Sequence, residues 1–219
     1  MKYKEQRQLA EDVYAFFRSH YVAEDDLSVT DVIFVFGRKD AQFARVASNL
    51  YRAGAGNILV TGGVGKDSGD LRLLNIPEAH YLAVLMLEQG VAGSNLLVEP
   101  MATNGAANSR LGTEMIIKAG IPAEQIVLVG HPATLLRLST VHTLVTRGMG
   151  FKAGYQLLAV DTDFDIDLEK DQQTILDECW RLYDYPKSTE QHPQPWADPI
   201  DIPTDLLERV LAWKALQMK

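Results

Sequence analysis

The feature that most constrains this chain is a five-residue run, Val32-Ile33-Phe34-Val35-Phe36, apolar at every position, β-prone and closed by Gly37. A strand with one wet face alternates apolar and polar residues. One without a polar position is buried on both faces, as in a parallel sheet covered by helices on each side. Similar runs recur at Ile58-Leu59-Val60, Leu96-Leu97-Val98 and Ile126-Val127-Leu128-Val129, and a fifth strand is expected over 155–160. Between them lie segments of helical character: residues 41–53, a helix opening near Pro77, residues 104–119, and a helix starting at Pro132 and ending at Gly148. Proline suits a first helical turn and glycine a helix end.

Short buried strands alternating with helices pair in parallel through right-handed crossovers, which put helices on both faces of the sheet. The expected fold is therefore a three-layer α/β/α, Rossmann-like domain with a doubly wound, mostly parallel sheet of about five strands, the first of them central. Leu9, Val13, Phe16, Phe17 and His20 give residues 3–21 an amphipathic helical pattern. A helix is expected over 168–185, then a proline-rich extended connector over 186–203. Leu206, Leu207, Val210, Leu211 and Leu216 predict an added C-terminal helix. The whole chain, residues 1–219 with a core over 30–185, reads as one domain.

Charge narrows the partners. A formal net charge of −8 disfavours a broad footprint for nucleic acid or an anionic membrane. The single cysteine, Cys179, rules out an intrachain disulfide and a multi-cysteine metal site. Lys2, Lys4, Glu5, Arg7, Glu11 and Asp12 interrupt the N-terminal segment where a signal peptide would be apolar, and no run approaches the ~20 apolar residues of a membrane span. A cytoplasmic protein is expected; the sequence does not give an oligomeric state.

In an open parallel sheet ligands bind beyond the carboxyl ends of the strands. After the first strand, Gly37 admits a close backbone approach and Arg38, followed by Lys39, offers a cation to an anion. After the second, the loop Thr61-Gly62-Gly63-Val64-Gly65-Lys66-Asp67-Ser68-Gly69 suggests backbone N–H groups presented to phosphate or carboxylate, with Lys66 beside them. Asp67 stands where a P-loop needs Ser or Thr, and the spaced glycines of a dinucleotide fingerprint are absent. Glu78 opens the next helix, where its carboxylate also suits the helix dipole. Glu99 follows the third strand. Thr103 or Asn104 can cap the helix after it, and Asn108, four residues beyond Asn104, shares its face and suggests a ligand contact. His131 ends the fourth strand, placed for proton transfer, and Arg137 is spaced to reach back toward it.

No G-x-S-x-G elbow is present, which argues against covalent serine hydrolysis. Asp161, Asp163, Asp165 and Asp167 alternate past the last strand, but Ile166 stands where an EF-hand needs glycine. Glu78, Glu99, His131 and Asp161 have no metal-ligand spacing, so no metal residues are assigned and metal dependence stays open.

Taken in order, these pieces resemble the YdcF-like family of bacterial Rossmann-like proteins. The resemblance runs over nearly the whole chain: residues 21–26, Thr61-Gly62-Gly63, Glu78-Ala79, Glu99 with Thr103-Asn104, Asn108, residues 132–137, and Asp201-Ile202-Pro203. It implies a polar site at the strand ends and S-adenosylmethionine as a ligand, with some relatives membrane-anchored and tied to envelope biogenesis. Ala107 departs from the acidic residue common in that family before the second asparagine. The leading expectation is small-molecule binding, of S-adenosylmethionine or a nucleotide, near Gly37, Gly62, Gly63 and Asn104. The alternative is a hydrolase or transferase acting on a phosphorylated or glycosylated small molecule, with Arg38, Lys66 and Arg137 holding the anion and Glu78 or His131 handling protons. A non-catalytic sensor is the third reading.

Overall fold

A computed structural model describes residues 3–28, 30–65, 68–160, 162, 164–189 and 193–218. Lys66, Asp161 and Asp163, named from the sequence, lie outside the described residues. The sheet contains β1 (Val32–Phe36), β2 (Asn57–Thr61), β3 (Leu96–Glu99), β4 (Gln125–Gly130) and β5 (Gly154–Ala159). All neighbouring pairs are parallel, in the order β3-β2-β1-β4-β5, so β1 is central as expected.

The uniformly apolar strands feed two separate cores. Ile33 and Val35 of β1, with Ile58 and Val60 of β2 and Val127 and Val129 of β4, point to one face. There they meet α2 (Ala41–Arg52) and α4 (Glu78–Glu88) through Phe43, Leu50, Leu82 and Met86. Val32, Phe34, Leu59, Ile126 and Leu128 point to the other face, toward α5 (Gly105–Ala119) and α6 (Leu135–Gly148). The register pairs Ile33 with Ile58 and Phe34 with Leu59, so each layer stays on its own side. Gly112 brings α5 down onto the sheet: a Cβ there would lie 2.8 Å from the Phe34 ring.

Chain direction explains the distribution of helices. From β1 to β2 to β3 the chain moves one way, with α2 and α4 on one face. It then returns past β1 to β4 and β5, with α5 and α6 on the other face. The reversal lies between β1 and β4, where the connections part to opposite sides.

A third cluster joins α1 (Tyr3–Arg18), α7 (Glu169–Asp184) and α8 (Thr204–Gln217) through Leu9, Phe17, Leu176, Cys179, Val210 and Trp213, with Leu136 of α6. The amphipathic patterns at the two ends of the chain thus complete each other. A four-residue helix, α3 (Asp70–Leu73), falls in the long β2–α4 connection, a segment too short to carry a helical periodicity. No helix among the described residues is long and apolar enough to cross a membrane. Of the alternating aspartates, Asp165 accepts from the Asp167 backbone at 2.9 Å and Asp167 pairs with Arg7 at 2.6 Å, so these two shape a turn.

His142 of α6 is fully buried, edge-on to Phe34 and Tyr155 with ring centroids 4.8 and 5.0 Å away. Neither ring nitrogen has a hydrogen-bond partner among the described residues. Burial pushes its pKa down from 6.5 to about 3, so the folded ring stays neutral where the unfolded one takes a proton. This contribution to stability is therefore intact above pH 6.5 and falls as the pH drops toward 3. The loss approaches about 1.4 kcal/mol per pH unit within that window. In denaturant titrations at pH 7.5 and 5, His142→Phe is expected to lose less stability across the interval than the wild type; an equal loss contradicts this assignment.

Candidate functional site

At the reversal between β1 and β4 the carboxyl edge opens into a cleft of about 250 Å³. Phe36, Gly37 and Arg38 line it from the end of β1, Glu78 from the start of α4, Thr103 from the β3–α5 turn, and His131 and Thr134 from the β4–α6 connection. Five of the residues singled out in the sequence, Gly37, Arg38, Glu78, Thr103 and His131, are thus brought together from four connections. Gly65, Phe43 of α2 and Leu138 of α6 complete the lining. In the sequence the two large apolar side chains are indistinguishable from ordinary core positions.

Close backbone packing sets the shape of this edge. A Cβ on Gly37 would stand 2.1 Å from the Thr61 carbonyl oxygen, and one on Gly62 would lie 3.2 Å from the Gly37 Cα. Gly62 has φ of +129°, a conformation open to glycine but strained for other residues. Gly63 packs under the β3–α5 turn, where a Cβ would sit 2.8 Å from the Ala102 oxygen.

Contrary to the expectation from its composition, the glycine-rich loop does not hold the Gly62, Gly63 and Gly65 amides open for phosphate. Gly62 donates to the Glu99 carbonyl at 2.9 Å, Gly63 to the Ala102 carbonyl at 2.7 Å, and Gly65 to Ser68 Oγ at 2.8 Å. The loop must satisfy its buried N–H groups, and the neighbouring turn supplies the acceptors. Glu99 plays the matching part. It is 4% exposed, and its two carboxylate oxygens accept from the Met101 and Ala102 amides at 2.8 and 3.1 Å. It braces the turn that presents Thr103.

Glu78 Oε1 accepts from the buried Ser68 hydroxyl at 2.9 Å, and Oε2 would lie 3.3 Å from a Cβ on Gly62. Its own amide donates to the Gly63 carbonyl, so the carboxylate is fixed over the two glycines. Sequence reasoning misses Ser68, because a serine in a polar loop carries no distinguishing signal. His131 is 7% exposed, and its Nδ1 accepts from the Ala133 amide at 3.2 Å. That bond selects the neutral tautomer carrying its proton on Nε2, a hydrogen-bond donor, as assigned from the bonding network. Lys39 pairs with Asp70 at 2.6 Å and holds that carboxyl below its ordinary pKa. Arg38 lines the cleft and forms no ion pair among the described residues.

Of the remaining candidates, Asn104 and Arg137 serve the scaffold. Asn104 is the N-cap of α5, its side-chain oxygen accepting from Ala107 at 2.9 Å, so the capping role falls to it rather than to Thr103. Asn108 is not among the cleft lining, and its side-chain oxygen is buried with no partner among the described residues. Arg137 does not reach the cleft lining. Its Nε donates to Glu178 of α7, which is 2% exposed and also takes Arg181, and its guanidinium lies 5.7 Å from the Tyr185 ring centroid. A buried carboxylate needs such partners, and this need outweighs Arg137's spacing along α6. Among the described residues no group of three His, Cys, Asp or Glu is placed to hold a metal ion.

No family model matches the chain, and a search of the curated proteins finds no match either.

Two substitutions separate scaffold from cleft. Gly37→Ala must displace the Thr61 carbonyl and is expected to cost about 1–3 kcal/mol in denaturant titrations; a loss below a few tenths contradicts the close approach. Glu99→Gln turns an amide NH₂ toward a backbone N–H and is expected to cost about 1–3 kcal/mol. Unchanged stability would remove the bracing role.

Proposed function

We propose that the protein binds a small polar molecule in the cleft at the carboxyl ends of β1, β2 and β4, and that it belongs to the YdcF-like family its motifs resemble. The observation that carries this reading is the convergence of Gly37, Arg38, Glu78, Thr103 and His131 on one cleft at the point where strand order reverses. These groups come from four separate connections, and core packing requires neither Arg38 nor Thr103 to face there.

Arg38 supplies a positive charge for a phosphate or carboxylate, Thr103 and the His131 Nε2–H supply neutral donors, and Glu78 accepts from a hydroxyl or amine. Gly37 and Gly62 let a ligand approach the backbone. A cleft of about 250 Å³ falls below the ~300–1,000 Å³ that encloses a whole drug-sized ligand. S-adenosylmethionine or a nucleotide therefore fits with one polar moiety inside and the rest along the sheet edge, and these are the ligands to try first.

A second reading, hydrolysis or transfer on a phosphorylated or glycosylated small molecule, is favoured by Glu78 and His131 lining the same cleft in complementary states. Glu78 Oε1 accepts from Ser68, and the His131 tautomer that accepts at Nδ1 carries its proton on Nε2. Under this reading Glu78 takes a proton and the His131 Nε2–H stabilises developing negative charge.

Isothermal titration with S-adenosylmethionine, S-adenosylhomocysteine, adenine nucleotides and sugar phosphates tests the binding reading. At least one is expected to bind, and Arg38→Ala and Glu78→Gln each to weaken it about tenfold or more. Silence from the whole panel, or binding indifferent to both variants, contradicts it. Arg137→Ala is a poor probe of binding, because stranding Glu178 would destabilise the fold.

A further inference from the structure

A transfer reaction needs room for a second ligand, and a cleft of about 250 Å³ encloses only part of one. Across the β4–α6 connection lies a groove of about 620 Å³ on the same edge of the sheet. Residues adjacent in the chain line the two cavities. His131 lines the cleft and Pro132 the groove; on α2, Phe43 lines the cleft while Arg45 and Val46 line the groove.

The floor of the groove is the side of the main core. Val46, Leu158 and Val160 lie beneath it and are at most 5% exposed, so the apolar surface open to a ligand comes from the half-buried Tyr14, Tyr21 and Val22. Tyr21 forms a preset wall: its hydroxyl donates to the Pro132 carbonyl at 2.7 Å, and burial raises its pKa above the ordinary value. The walls also carry Arg18 of α1 and Arg45 of α2, both exposed.

Six of the eleven arginines, Arg7, Arg110, Arg137, Arg147, Arg181 and Arg209, pair with carboxylates, whereas Arg38, Arg52, Arg72, Arg18 and Arg45 form no ion pair among the described residues; of these five, Arg18 and Arg45 line the groove. Each is merely oriented, Arg45 by a 2.5 Å bond from Nε to Gln42 and Arg18 by the Tyr14 ring, 6.0 Å away. Glu24 and Asp26 are also in the lining, and among the described residues neither is within ion-pair distance of either arginine.

We propose that this groove is a second ligand site that takes an organic anion, its phosphate or carboxylate held by Arg18 and Arg45 and its apolar or aromatic body laid against Tyr14, Tyr21 and Val22. The site goes beyond the cleft reading and does not depend on what the cleft binds. With the cleft occupied as well, two ligands would meet at the His131-Pro132 wall, as a two-substrate reaction requires.

The test uses 1-naphthyl phosphate and 1-naphthoate as fluorescent probes, with uncharged 1-naphthylmethanol as the control. At least one anion is expected to bind the full chain saturably, and the neutral analogue to bind far more weakly. The double variant Arg18→Gln/Arg45→Gln, exposed at both positions, is expected to keep its fold by circular dichroism and to bind about tenfold or more weakly. Arg38→Gln is expected to leave the affinity unchanged. Absence of saturable binding, equal affinity in the double variant, or equal affinity for the neutral probe overturns the proposal. Loss of binding in Arg38→Gln alone also overturns it, because it would put the anion in the cleft and thereby support the cleft reading.

Discussion

Gly37 lies so close to the Thr61 carbonyl that even a methyl group would stand 2.1 Å from the oxygen, and the carboxyl edge of the sheet is organised around that approach. It draws the ends of β1 and β2 together and lets Gly62 turn at positive φ above them. It also leaves α4 to start where its Glu78 carboxylate covers both glycines. The uniformly apolar β1 makes this possible. Buried on both faces, the strand cannot slide or tilt without exposing Ile33 and Val35 on one side or Phe34 on the other.

Around this point the chain spends most of its polar groups on itself. The amides of Gly62, Gly63 and Gly65 are satisfied by the adjoining turn and by Ser68, Glu99 holds two backbone N–H groups, and Asn104 caps α5. Glu178 takes Arg137 away from the sheet edge. Buried donors and acceptors are costly to leave unpaired, so scaffold needs are met first. Arg38, Thr103, and the exposed Arg18 and Arg45 have no comparable scaffold duty, and these are the groups through which a ligand can be recognised.

The fold was legible because β1, β2 and β4 each contain a short run without a polar position, the mark of a strand covered on both faces when helical segments separate the runs, whereas β5, with Gln156, carries a weaker signal. The central place of β1 followed from the same reasoning. Gly37, Arg38, Glu78, Thr103 and His131 were legible as lining because a parallel sheet sends every strand end to one edge. What those residues bond to was not. Arg137 and Glu178 are 41 positions apart, and nothing local to either reveals the pair. A glycine-rich loop reads the same whether its amides face a ligand or a neighbouring turn; only the path of residues 100–102 decides. The groove is hidden in the sequence for a related reason: residues 21–26 supply five of its lining residues, but the rest come from α1, α2, the β4–α6 connection and the end of β5, which only the fold brings beside them.

The most direct test of the account is amide chemical-shift mapping by NMR on the 24.3 kDa chain during titration with S-adenosylmethionine, adenine nucleotides and sugar phosphates. Ligand recognition at the carboxyl edge predicts that the largest changes fall on Gly37, Arg38, Gly62, Thr103 and His131, joined by Arg18 and Arg45 where an organic anion also enters the groove, with the outer surface of α8 silent. Changes centred on α7 and α8, or at the opposite end of the sheet around Val32, Asn57 and Gln125, would contradict it.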